Sequence, residues 1–119
     1  MQTRAISKYV RISPYKLRPY AKAIAGYPVD KAIAWLKTCG LARVKPIEKT
    51  VLSAFANAQQ HEQTLAKSDM VIKEIRVDQG STYRYYKPGA MGRACVQRKR
   101  LSHIAVVLQK SSAPNKQEV

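Results

Sequence analysis

Acidic residues are scarce in this 119-residue chain: seven Asp and Glu stand against 22 Lys and Arg, a net charge of +15. A field of that sign attracts polyanions, meaning nucleic acid or an acidic membrane surface, and carries no information about fold. Cysteine is scarce too. Cys39 and Cys95, the only two, lie far apart and form no CxxC. That argues against a disulfide framework or a zinc site and for free thiols in a reducing compartment. No run of about 18 apolar residues occurs, so no transmembrane helix and no membrane association is expected. Lys8, Arg11, Lys16, Arg18 and Lys22 interrupt any apolar stretch near the amino terminus, and a secretory signal is not expected. There is no internal repeat and no low-complexity block. A catalytic constellation is also missing. His103 follows Ser102 with no carboxylate or nucleophile near it in sequence, so no enzyme, cofactor or metal site is expected.

What remains is 45% apolar residues, enough for one modest core. The charge on that frame is uneven. Residues 1–29 carry six Lys or Arg and no acid, residues 30–78 carry eight with six acids, and residues 79–117 carry eight with none. A nearly balanced middle suits a packed domain, and purely cationic flanks suit a surface turned toward phosphate. The plainer alternative is a generally basic, solvated surface.

Arg4 to Ile12 is rich in Ile, Tyr and Val and predicts a strand or extended arm. Ser13 followed by Pro14 predicts a capped helix start, with Leu17, Ala21 and Ile24 facing inward and Gly26 and Pro28 ending it near Ala25. Asp30 is expected to cap a second helix, Lys31 to Thr38, stopped by Gly40; Ala32, Ile33, Leu36 and Trp35 supply its inner side. A third helix is predicted from Ala42 to His61. Its stripe is Val44, Ile47, Val51, Ala54, Phe55 and Ala58, with Pro46 marking its true start. From Met70 the period changes. Val71, Ile72, Ile75 and Val77 suit a strand, and Asp78-Gln79-Gly80 resembles a bend or bulge. Pro88 to Gly92 is a turn cluster, and Arg93 to Val107 predicts a returning strand. The predicted fold class is α+β: three helices packed on a small antiparallel sheet with a long protruding β-hairpin. Residues 1–108 form one domain, the hairpin spans about 76–104, and residues 109–119 form a polar carboxy-terminal tail.

The outer hairpin has little to bury. A two-stranded ribbon with no face to pack on is marginally stable in water. Arg84, Lys87, Arg93, Arg98, Lys99 and Arg100 repel one another there, and no acid lies between Gln79 and Lys110. Bound phosphate would relieve that repulsion. Tyr83, Tyr85 and Tyr86 suit stacking on unpaired bases, or ordinary cross-strand packing.

Five motifs in register resemble one family. Val77-Asp78-Gln79-Gly80, Lys87 to Ala94 (KPGAMGRA) and Lys99 to Ile104 (KRLSHI) resemble the hairpin of the ribosomal protein uL22 family. Arg11 to Arg18 (RISPYKLR) resembles its first helix start, and Leu52 to Ala58 (LSAFANA) its third helix. The resemblance covers residues 4–108. It implies a bacterial-type structural protein of the large ribosomal subunit, in the bacterial cytoplasm or an organelle. It further implies binding to 23S-type rRNA, help in assembly, and a hairpin lining the nascent-peptide exit tunnel near ribosomal protein L4. The partners so implied are large-subunit rRNA, neighbouring large-subunit proteins and the nascent peptide, without a homo-oligomer. The chain departs from the family pattern at Gly89 and Met91, where tips are often more basic, and at Ala25, Tyr85 and Leu101.

The RNA-binding set expected on these grounds is Arg11, Ser13, Lys16, Arg18, Arg84, Lys87, Arg93, Arg98, Lys99, Arg100 and His103. The tunnel-lining tip is Tyr86, Lys87, Pro88, Gly89, Ala90, Met91, Gly92 and Arg93. His103 bonds either RNA or the hairpin base, Asn57 either RNA or local structure, and Cys95 is placed to meet RNA. Cys39 is assigned to the core and His61 to solvent. The competing reading is a free nucleoid-type or regulatory nucleic-acid-binding protein, which accounts for the charge but not for the unsupported ribbon.

Overall fold

A computed structural model of the chain describes residues 2–111. In chain order its elements are β1 (Gln2–Val10), α1 (Pro14–Ile24), α2 (Val29–Cys39), a 3-10 turn (Ala42–Val44), α3 (Lys45–His61), a second 3-10 turn (Lys67–Asp69), β2 (Met70–Pro88), a tip turn (Ala90–Gly92) and β3 (Ala94–Lys110). The strands form one antiparallel sheet in the order β1-β3-β2. This is the expected α+β arrangement of three helices and a small sheet with a long hairpin.

The helical stripes meet on one face of that sheet. Leu17, Ala21 and Ile24 of α1, Ala32, Ile33 and Leu36 of α2, and Ile47, Val51, Ala54, Phe55 and Ala58 of α3 are all buried. They pack against Ile72 and Val77 of β2 and Ile104, Val106 and Leu108 of β3. Side chains alternate across a strand, so Ile104, Val106 and Leu108 share the inner face, with Ala5 and Thr3 of β1 beside them. Polar bonds lock the layers. The Thr3 hydroxyl donates to the Ala54 carbonyl at 3.2 Å, and the Asn57 amide donates to the Arg4 carbonyl at 3.0 Å. Asn57 therefore joins α3 to β1 through its amide.

Several boundaries move for local reasons. Asp30 lies inside the first turn of α2, which begins at Val29 with Pro28 in the cap position. There its carboxylate still complements the helix dipole, but it is not the cap. Ser13 occupies the cap position of α1 with extended backbone, yet its side chain makes no capping bond. Pro46 sits in the first turn of α3, and the preceding Ala42–Val44 is a 3-10 turn. Trp35 is 41% exposed and so leaves the expected inner side of α2. Cys39 is half-buried against the core, and His61 is exposed. β3 runs on to Lys110, taking two residues from the expected tail, and residues 112–119 lie outside the described residues.

The two long strands set the shape. Nineteen residues of β2 at about 3.3 Å each span about 63 Å, matching the long axis of a 63 × 29 × 19 Å molecule. The radius of gyration is 17.5 Å, against about 13.5 Å for a compact chain of this length. Only the outer part, from Gly80 to Pro88, runs clear of the core, about 30 Å. The rest of the hairpin is packed sheet.

Candidate nucleic-acid interface

The outer ribbon joins the sheet at a node built around β3. The ladder slips by one residue between Gln79 and Thr82 of β2, and again between Ser7 and Val10 of β1. The two bulges abut at Ser102 of β3, and bulges increase local twist. The bulge expected at Asp78-Gln79-Gly80 is therefore present. A Cβ built on Gly80 would lie 3.1 Å from both the Leu101 carbonyl and the His103 ring, so only glycine fits without displacement. On the other side Tyr9 has φ 58, an uncommon conformation for a residue with a Cβ. Its N–H donates to His103 Nδ1 at 3.1 Å, and the two rings meet edge to face at 5.0 Å. His103 thus ties the base of the hairpin to β1.

Ser102, fully buried, donates its hydroxyl to the Ile12 carbonyl at 2.7 Å. That bond holds the β1–α1 connection against β3 and brings two cationic stretches, distant in sequence, to one place. Arg11, Ile12, Ser13 and Lys16 from the first stretch and Arg98, Lys99 and Arg100 from the second line an open hollow of about 680 Å³. Arg43 joins them from the 3-10 turn ahead of α3. Six of the eight lining residues are cationic and none is acidic. None of the six makes an ion pair among the described residues, where the two pairs are Arg76–Glu74 and Lys110–Glu62.

Aromatic rings hold the arginines in place. The Arg18 and Arg100 guanidinium carbons lie 5.5 and 5.8 Å from the centre of the Tyr15 ring, and that of Arg43 lies 5.9 Å from the centre of Tyr20. Cation–π contacts of this kind order a guanidinium while leaving its N–H groups free to donate. Arg18 also spends Nε on the Val77 carbonyl at 3.3 Å, so it is partly a structural residue. Sequence reasoning missed Arg43, Tyr15 and Tyr20. Tyr15 and Arg18 stand three apart on one helix, a spacing that brings side chains together and was legible. The approach of Arg43 to Tyr20 depends on tertiary packing and had no sequence signal.

Beyond the node every residue from Tyr83 through Arg100 is exposed. This stretch carries Arg84, Lys87, Arg93, Arg98, Lys99 and Arg100. Arg84 stands directly opposite Arg98 in the ladder, a like-charge pairing that destabilises a sheet. The tip closes through the Gly89 N–H donating to the Arg93 carbonyl and the Arg93 N–H donating to the Ala90 carbonyl. Met91 and Gly92 both take positive φ, and Met91 is fully exposed. The structure thus gathers Arg11, Ser13, Lys16, Arg98, Lys99 and Arg100 in one hollow with Arg18 beside it. It keeps Arg84, Lys87 and Arg93 apart, along the ribbon and at the tip.

The family model described as ribosomal protein L22p/L17e matches residues 5–109. The chain belongs to this family, known also as uL22. The large ribosomal subunit protein uL22 of Desulfitobacterium hafniense is 44% identical over 107 residues, covering 90% of this chain and 93% of the relative. That of Pelotomaculum thermopropionicum is 42% identical and that of Roseiflexus castenholzii 41%, each over 91% of this chain and 95% of the relative. A uL22 protein is a structural, non-enzymatic constituent of the large ribosomal subunit. Membership replaces the free nucleoid-type reading. No helix among the described residues is long and apolar enough to cross a membrane.

Proposed function

We propose that this uL22 chain binds large-subunit rRNA of the 23S type through the hollow and the outer ribbon. Residues 1–108 act as one RNA-binding unit that aids assembly. The tip, Tyr86 to Arg93, lines the nascent-peptide tunnel beside ribosomal protein L4. The observation that carries this reading is the hollow: six cations around one open concavity, with no acid lining it and no ion pair to them among the described residues. Such a cluster is repulsive until phosphate enters it, and counterion release then favours binding. The ribbon supports the same reading, because it is exposed throughout and carries six cations and no acid between Tyr83 and Arg100.

Sedimentation of a tagged copy through a high-salt gradient tests it. The protein is expected to travel with the large subunit and to remain there when small proteins held by surface charge alone have washed off. Migration with DNA or with free RNA, away from the subunit, would contradict it.

A further inference from the structure

The outer ribbon has two chemically unlike faces. Directly paired residues of an antiparallel ladder share a face, and faces alternate along each strand. The pairs Thr82–Arg100, Arg84–Arg98 and Tyr86–Val96 therefore lie on one face, the continuation of the buried face of Ser102 and Ile104. Arg100, lying over Tyr15, ties this face to α1 and to the hollow. The pairs Tyr83–Lys99, Tyr85–Gln97 and Lys87–Cys95 lie on the other face.

On that second face Tyr83 and Tyr85 are 61% and 49% exposed. Among the described residues neither ring touches another aromatic, a guanidinium or a hydrogen-bonding partner. Side chains two positions apart on a strand stand about 6.7 Å apart. That is nearly twice the optimum of about 3.5 Å between contacting carbon atoms. Two rings at this spacing leave room for one flat group of the thickness of a nucleobase. Lys99 stands opposite Tyr83, and Lys87 stands one step beyond Tyr85, so a cation flanks each end of the gap.

We infer that Tyr83 and Tyr85 form a stacking slot for one unpaired RNA base, with Lys99 and Lys87 holding the phosphates on either side of it. Arg84, Arg98 and Arg100, on the opposite face, take the phosphates of a second RNA segment that continues from the hollow. This rests on the RNA-binding reading above. A duplex keeps its bases stacked and paired, so the slot selects unpaired RNA while the arginine face accepts either form.

Binding of the full chain to a labelled oligoadenylate and to a blunt RNA duplex of the same length, across a range of salt, tests the division. The Tyr83→Leu/Tyr85→Leu variant is expected to lose about tenfold or more on the single strand and less than about twofold on the duplex, with an unchanged salt slope. Tyr83→Phe/Tyr85→Phe keeps the π faces and is expected to bind as the parent does. Arg84→Gln/Arg98→Gln is expected to weaken both RNAs and to lower the salt slope by roughly one to two units. If the leucine variant weakens both RNAs equally, or neither, while the parent binds, the slot is overturned and the RNA reading stands. If the parent binds neither RNA at any salt, the RNA reading itself falls.

Discussion

β2 and β3 are each one continuous strand that lives in two environments. In the inner half Ile72, Val77, Ile104, Val106 and Leu108 are buried against three helices. In the outer half the same two strands, in the same ladder, carry Arg84 opposite Arg98 and Tyr86 opposite Val96, all four exposed. Backbone pairing is common to both halves, so pairing cannot be what separates them. The inner half is held by burial at roughly 25 cal/mol per Å² of apolar surface. The outer half has neither burial nor charge balance, and under the proposed function an external polyanion supplies what it lacks. The node at Gly80, Tyr9 and His103 marks where one regime gives way to the other.

Substitutions along β3 separate the halves. Ile104 and Val96 lie on the same face of this strand, one fully buried and the other 50% exposed. Ile104→Ala is expected to cost about 2–5 kcal/mol in urea denaturation, whereas Val96→Ala is expected to stay within about 0.5 kcal/mol. Equal losses would mean that the ribbon has a protein partner in the free chain. The triple change of Arg98, Lys99 and Arg100 to Ala is the converse. Folding stability is expected to stay within about 0.5 kcal/mol. Affinity for rRNA is expected to fall on the order of tenfold to a hundredfold, and the salt slope to drop by about two units. Unchanged binding at every salt concentration would remove the hairpin base as an anchor.

Ser102→Ala sits on the boundary. It strands the Ile12 carbonyl and is expected to cost about 1–2 kcal/mol while loosening Arg11 and Ser13 from the hollow. Denaturation and rRNA binding should therefore both weaken. The smallest effect is expected from removing Tyr85 to Met91. The domain should keep its stability within about 0.5 kcal/mol because none of these residues is buried. Failure of the shortened chain to fold would place the ribbon in the core.

Much of the packed half was legible because its signals are local and periodic. The α3 stripe from Val44 to Ala58 is buried at every named position, and Gly80 falls in the bulge read from Asp78-Gln79-Gly80. Caps were read less well. Asp30 and Ser13 have the right chemistry at the right distance, but Pro28 already fixes the entry to α2, and the Ser13 side chain makes no capping bond in α1. The hollow was legible only as two basic stretches. Their meeting depends on the bond from Ser102 to Ile12, 90 residues apart, and the contribution of Arg43 depends on how the 3-10 turn ahead of α3 packs beside α1. Motif order along the chain supplied what periodicity could not, the family.

Amide hydrogen exchange of the full chain, free and bound to 23S-type rRNA, tests the central contrast most directly. In the free chain the amides of Ile104 to Leu108 are expected to be strongly protected and those of Tyr83 to Lys87 and Cys95 to Lys99 to exchange fast, with rRNA slowing the second set selectively. Protection of the outer ribbon equal to that of the inner sheet in the absence of RNA would contradict the account.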